Sequence, residues 1–132
     1  MDENHPALVA ARNSWRCVQS KAREEWLELM ADDVLIEDPI GVAPTNPEGK
    51  GIRGKEALGR FWDQNLAPTE VVIETHESFA CGNESAHRMT LRTTFPGNTT
   101  FVVDGIFTYR VNDAGKITNL RGYWCVEDMK TA

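Results

Sequence analysis

The chain has 132 residues, 41% hydrophobic and 26% charged, enough to bury the core of one domain spanning residues 1–132. Fourteen basic against twenty acidic side chains leave a net charge of −6 with no Lys/Arg cluster, which excludes a surface that tracks nucleic-acid phosphates. No apolar run nears the ~20 residues that cross a bilayer, and the three cysteines are an odd number without metal-ligand spacing.

The opening "MDENHPALVAARN" lacks the basic start and apolar stretch of a secretory signal. The expectation is a cytoplasmic protein whose Cys17, Cys81 and Cys125 are free thiols. A first helix is expected from Pro6, which suits a first helical turn, with Leu8, Ala11, Trp15 and Val18 recurring at helical spacing. A short second helix carries Trp26, Leu29 and Met30.

The strand "VLIED" follows. Alternation puts Val34, Ile36 and Asp38 on one face, with Leu35 and Glu37 on the other, and Pro39 stops the run. A carboxylate placed last on an apolar face either bonds the turn at Pro39–Gly41 or looks into a cavity. A Gly- and Pro-rich loop runs from Pro39 to Gly54. A third helix then sets Ala57, Leu58, Phe61, Trp62 and Leu66 in one apolar stripe.

After Pro68 the pattern becomes that of strands. "EVVIETHESFA" is one. "AHRMTLRTTF" places His87, Met89, Leu91, Thr93 and Phe95 on one side and Arg88 and Arg92 on the other. "TFVVDGIFTYRV" places Phe101, Val103, Gly105, Phe107 and Tyr109 together, opposite Asp104. "NDAGK" signals a hairpin, and "ITNLRGYWCV" closes with Leu120, Gly122 and Trp124 on one face. Helices first and consecutive antiparallel strands after give an α+β fold, with helices on one face of a curved sheet.

The order of these parts, and above all "ADDVLIEDPIG" and the closing "GKI…YW", resembles the ketosteroid isomerase branch of the NTF2-like (SnoaL-like) superfamily over roughly residues 8 to 126. The resemblance implies a cone: a bent, mostly antiparallel sheet with the N-terminal helices on its concave face around a deep apolar pocket. It implies a homodimer through the convex face, a small hydrophobic, steroid-like ligand, and no cofactor or metal. The aspartate of the family's "EDP" motif is the base that moves a proton between two carbons of a β,γ-unsaturated ketone, and that position is Asp38. The implied activity is that of a Δ5-3-ketosteroid isomerase.

The resemblance breaks at the oxyanion hole, which in these isomerases joins a tyrosine to a protonated aspartic acid. The tyrosine's position falls on Ser14, beside Trp15, and the aspartic acid's on Phe107. His87, in register with Met89 and Leu91, is the candidate replacement donor, with Ser14 a weaker second. The remaining expected lining is Phe61, Trp62, Met89, Val103 and Trp124. Trp62 takes the place of a family pocket tyrosine, and Trp124 that of a lining tryptophan. The alternative functions are a non-catalytic binding module with Asp38 as a polar anchor, or another pocket enzyme of the superfamily such as a polyketide cyclase or epoxide hydrolase.

Overall fold

A computed structural model describes residues 2–132. Helix α1 spans Pro6–Ser20. His5 starts it: its Nδ1 accepts the Ala7 N–H at 3.1 Å, and its Nε2 meets the Gly82 carbonyl at 2.9 Å. A carbonyl only accepts, so Nε2 carries the proton and donates it to Gly82. The helix buries Ala7, Ala10, Ala11, Ser14 and Cys17 at three- and four-residue spacing. These small side chains let its axis lie close over the sheet. Lys21, left-handed at φ 63°, ends it and sends its ammonium to the carbonyls of Leu66 and Thr69.

Helix α2 is shorter than its apolar spacing predicts, Arg23–Glu28. Met30 belongs instead to strand β1, Met30–Glu37. Strand β2 is Ile52–Arg53 and helix α3 is Lys55–Phe61, extended by one π-helical turn over Trp62–Leu66. Strands β3 (Glu70–Cys81), β4 (Glu84–Thr94), β5 (Thr100–Val111) and β6 (Ile117–Tyr123) follow, then a 3₁₀ turn at Val126–Asp128 and the short β7, Lys130–Thr131.

The strands form one open sheet in the order β2-β1-β6-β5-β4-β3, with β7 added beside β5. Only β1 and β6 run parallel; every other pair is antiparallel. Register shifts interrupt the ladders between Thr75 and Glu77 and between Arg110 and Val111. Such bulges bend a strand and sharpen its twist. The long strands therefore curl around α1, as the α+β cone expectation required. At the β5–β6 hairpin, Asn112 Oδ1 accepts the N–H groups of Ala114 and Lys116, and Gly115 supplies φ 77°.

The inward faces are those the alternation assigns. Val34 and Ile36 are buried beneath the helices with Leu8, Leu58, Trp26, Trp62, Met89, Phe107, Ile117 and Leu120. Each large apolar side chain in such a place contributes on the order of 1.5–3 kcal/mol. The outward face carries ion pairs such as Arg88–Glu77 at 2.9 Å and Arg121–Glu37 at 3.2 Å. Asp104 faces that way too and accepts from Thr90. Val72, Ile106 and Tyr123 stand exposed on the same side. No helix among the described residues is long and apolar enough to cross a membrane.

Candidate active site

The concave face encloses a cavity of about 450 Å³. Its walls come from α1 (Ser14, Trp15, Val18), from α3 and its π-turn (Phe61, Asn65, Leu66), from the inward residues of β3 to β6, and from the loop after β1 (Pro44, Thr45). Phe95, Phe101 and Val126 lie toward its open side, where Phe95 and Val126 are solvent-exposed. Asp38 is the single charged side chain among the lining residues.

Asp38 sits one position beyond the end of β1, and the peptide bond that joins it to Pro39 is cis. Its Oδ1 accepts the Trp124 indole N–H at 2.6 Å. Its Oδ2 has no partner among the described residues. Burial raises the carboxyl's pKa, and the Trp124 bond partly opposes that rise. The residue's remaining exposure opens onto the cavity.

The backbone around this carboxylate is fixed from three directions. Ile40 N–H donates to the Gly122 carbonyl at 3.0 Å, Thr45 Oγ1 donates to the Asp38 carbonyl at 3.1 Å, and Asn46 Nδ2 donates to the Pro39 carbonyl at 3.1 Å. Asn46 is itself buried and accepts the Gly51 N–H at 2.8 Å, which closes the long loop. Room for the carboxylate comes from Gly122. A Cβ there would collide with Asp38 Oδ1 and come within 3.0 Å of the Trp124 indole nitrogen.

Eight of the ten residues expected in the pocket line this cavity: Asp38, Ser14, Trp15, Phe61, Met89, Val103, Phe107 and Trp124. Two expectations are corrected. Trp62 lies in the core, its ring 5.1 Å from that of Trp26, because it follows buried Leu58 by one α-helical turn and so shares the side of α3 that packs against α2, while Phe61 faces the cavity. His87 faces inward but lies behind the cavity wall and is 1% exposed. Its Nδ1 meets Ser78 Oγ and its Nε2 meets Ser85 Oγ, both at 2.8 Å. Ser85 Oγ donates to the Ala7 carbonyl, so it accepts from Nε2–H, and His87 is neutral with both nitrogens engaged. Desolvation lowers its pKa to about 4. No ring donor is left to reach a ligand.

The polar group that the sequence reading passed over is Tyr109. It shares the inward face of β5 with Phe107, lines the cavity and is 4% exposed. Trp15 Nε1 donates to its phenol oxygen at 2.9 Å. Behind both rings stands His87, with centroids 4.8 Å from Trp15 and 5.6 Å from Tyr109, edge-on in each case. Ser14 Oγ accepts the Trp26 indole N–H at 3.1 Å.

Residues 11–120 match the SnoaL-like domain family. Solved structures similar to this chain include a Δ5-3-ketosteroid isomerase from Mycobacterium sp., at 51% identity and TM-score 0.94 over 97% of this chain and 99% of that one. A Mycobacterium tuberculosis protein in complex with estradiol-17β-hemisuccinate is 52% identical, with TM-score 0.92 over 96% of this chain and 98% of that one. A computationally designed 17-OHP binder is 50% identical, with TM-score 0.94 over 97% and 99% respectively.

Proposed function

The chain belongs to the SnoaL-like family, and on that footing we propose that it is a cofactor-free isomerase of a steroid-like β,γ-unsaturated ketone, with Asp38 as the base. The observation that carries the reading is the Asp38 carboxylate on the wall of an otherwise uncharged, mostly apolar cavity, one oxygen held by Trp124 and the other without a protein partner. A large hydrocarbon with one ketone fits such a lining.

The reaction needs one group that takes a proton and gives it back. Asp38 Oδ2 removes a proton from the carbon between the ketone and the double bond. The electron pair moves into the carbonyl, leaving a dienolate. The protonated Asp38 then delivers the same proton to the γ-carbon, and the double bond ends conjugated to the ketone. Atoms and charge balance without a second reactant. Burial favours this role, because a raised pKa makes the carboxylate a stronger base. The test is spectrophotometric: conversion of a Δ5-3-ketosteroid to its absorbing Δ4 isomer.

A second reading is a binding module for the same class of ligand, with Asp38 as anchor. It is favoured by a designed binder being half identical to this chain. An epoxide hydrolase is disfavoured, since that chemistry wants an arginine between two carboxylates and no arginine lines the cavity. The exposed Val72, Ile106 and Tyr123 on the outer sheet face support a homodimer built there.

A further inference from the structure

We propose that Tyr109 is a catalytic residue whose phenol O–H binds the ketone oxygen of the ligand in the cavity, with Trp15 holding that phenol in place. The inference rests on the isomerase reading for its rate, and on the cavity alone for its binding.

Four observations lead there. First, the phenol oxygen accepts from Trp15 Nε1, and no hydrogen bond donated by the phenol is present among the described residues; the hydroxyl beside it, Ser14, already takes the Trp26 N–H. A buried hydroxyl with a spare proton facing a cavity donates to whatever oxygen enters. Second, the sheet register brings it near the base. Gly122, over which the Asp38 carboxylate sits, pairs with Phe107, and Tyr109 is the next inward residue along β5. That separation is roughly 7 Å of strand. The Asp38 charge is close enough to act on the phenol.

Third, the other lining hydroxyls are spent or misplaced. Thr45 donates to the Asp38 carbonyl and Thr69 to the Asn65 carbonyl. Thr93 pairs with Phe101, far along β5 toward the open end. Ser14 takes the Trp26 N–H and sits beside the same phenol. Fourth, burial pushes the phenol's pKa far above its ordinary value, against the opposing effect of the Trp15 N–H and the nearby Ser14 hydroxyl. Tyr109 is therefore a neutral donor throughout the range in which Asp38 works. The two family positions occupied here by Ser14 and Phe107 are thus replaced by one hydroxyl from a neighbouring inward position.

The experiment is Tyr109→Phe, which keeps the ring and removes the hydroxyl. With a Δ5-3-ketosteroid, kcat should fall roughly 100-fold or more, as loss of an oxyanion donor does. Independently of turnover, Trp fluorescence titration should show that the parent binds a 3-ketosteroid more tightly than its 3-deoxy analogue, and that the variant does not discriminate. A parent that discriminates but does not isomerise, with the discrimination lost in Tyr109→Phe, would contradict the isomerase reading and leave the bond from Tyr109 to the ketone standing. Unchanged kcat together with unchanged discrimination would overturn it. Should the variant fail to fold, the carbonyl stretch of a 3-ketosteroid bound to the parent decides. A frequency below that in an apolar solvent is expected, and the apolar-solvent frequency would overturn the assignment.

Discussion

The indole N–H of Trp124 and the carboxylate of Asp38 lie 86 positions apart in sequence and meet at 2.6 Å. This bond sets two properties of the base at once. It fixes which oxygen is free, and it holds down a pKa that burial pushes up. Trp124→Phe removes the donor and keeps a ring. The Asp38 pKa should then rise further, so the ionised base is lost at a higher pH. In a pH profile of kcat/KM, the acid limb of the variant should lie above that of the parent. Coincident limbs would show that the bond does not tune the base.

Gly122 has an ordinary backbone conformation, so its value lies in what it leaves empty. Gly122→Ala drives a methyl into the Asp38 carboxylate and against Trp124. Overpacking of this kind costs about 1–3 kcal/mol of stability. The larger effect should be on kcat, by tenfold or more, because displacing a base by about 1 Å can cost 100-fold. A folded variant with parental kcat would mean that Asp38 tolerates a different position.

His87 serves the fold through Ser78 and Ser85, and its folded pKa lies at about 4 against 6.5 unfolded. Below pH 6.5 the unfolded chain takes up a proton that the native ring refuses. Stability is therefore full above that pH and falls as the pH drops toward 4. The whole shift corresponds to a ceiling of about 3 kcal/mol. Urea unfolding of the parent at pH 7 and pH 4.5 should show a loss that shrinks markedly in His87→Gln. An equal loss in both proteins would assign acid sensitivity to other groups.

How far the sequence reached follows from what alternation encodes. The period of two along β4 and β5 names the inward face, and Met89, Val103 and Phe107 lie where it puts them. It does not give depth. His87 and Met89 share a face, yet His87 lies beneath α1 near Ser85 while Met89 reaches the cavity. Nor does a helical stripe separate Trp62, one turn beyond buried Leu58 on the core side of α3, from its neighbour Phe61 on the cavity side. Tyr109 was visible as an inward residue, but its hydroxyl acquires meaning only from a tryptophan on α1, 94 positions away. Asp38 was legible because its motif is local, and even so its partner Trp124 and the space at Gly122 come from another strand.

The outer face of the sheet carries Ile106 and Tyr123 at 40% and 49% exposure, on strands whose other side is already packed. Light scattering at micromolar concentration should give about twice the 14.8 kDa chain mass. Ile106→Asp should shift the population toward monomer. A parent that is monomeric throughout would show that this face does not pair.

Asp38→Asn keeps the shape of the proposed base and removes its basicity. The parent and the variant are compared for conversion of a Δ5-3-ketosteroid to the Δ4 isomer, with affinity for a phenolic steroid measured alongside. The role of Asp38 as base requires turnover by the parent and a fall of several orders of magnitude in the variant, with the phenolic steroid still bound. A parent that isomerises the ketone and an Asn variant that does so equally fast would contradict it.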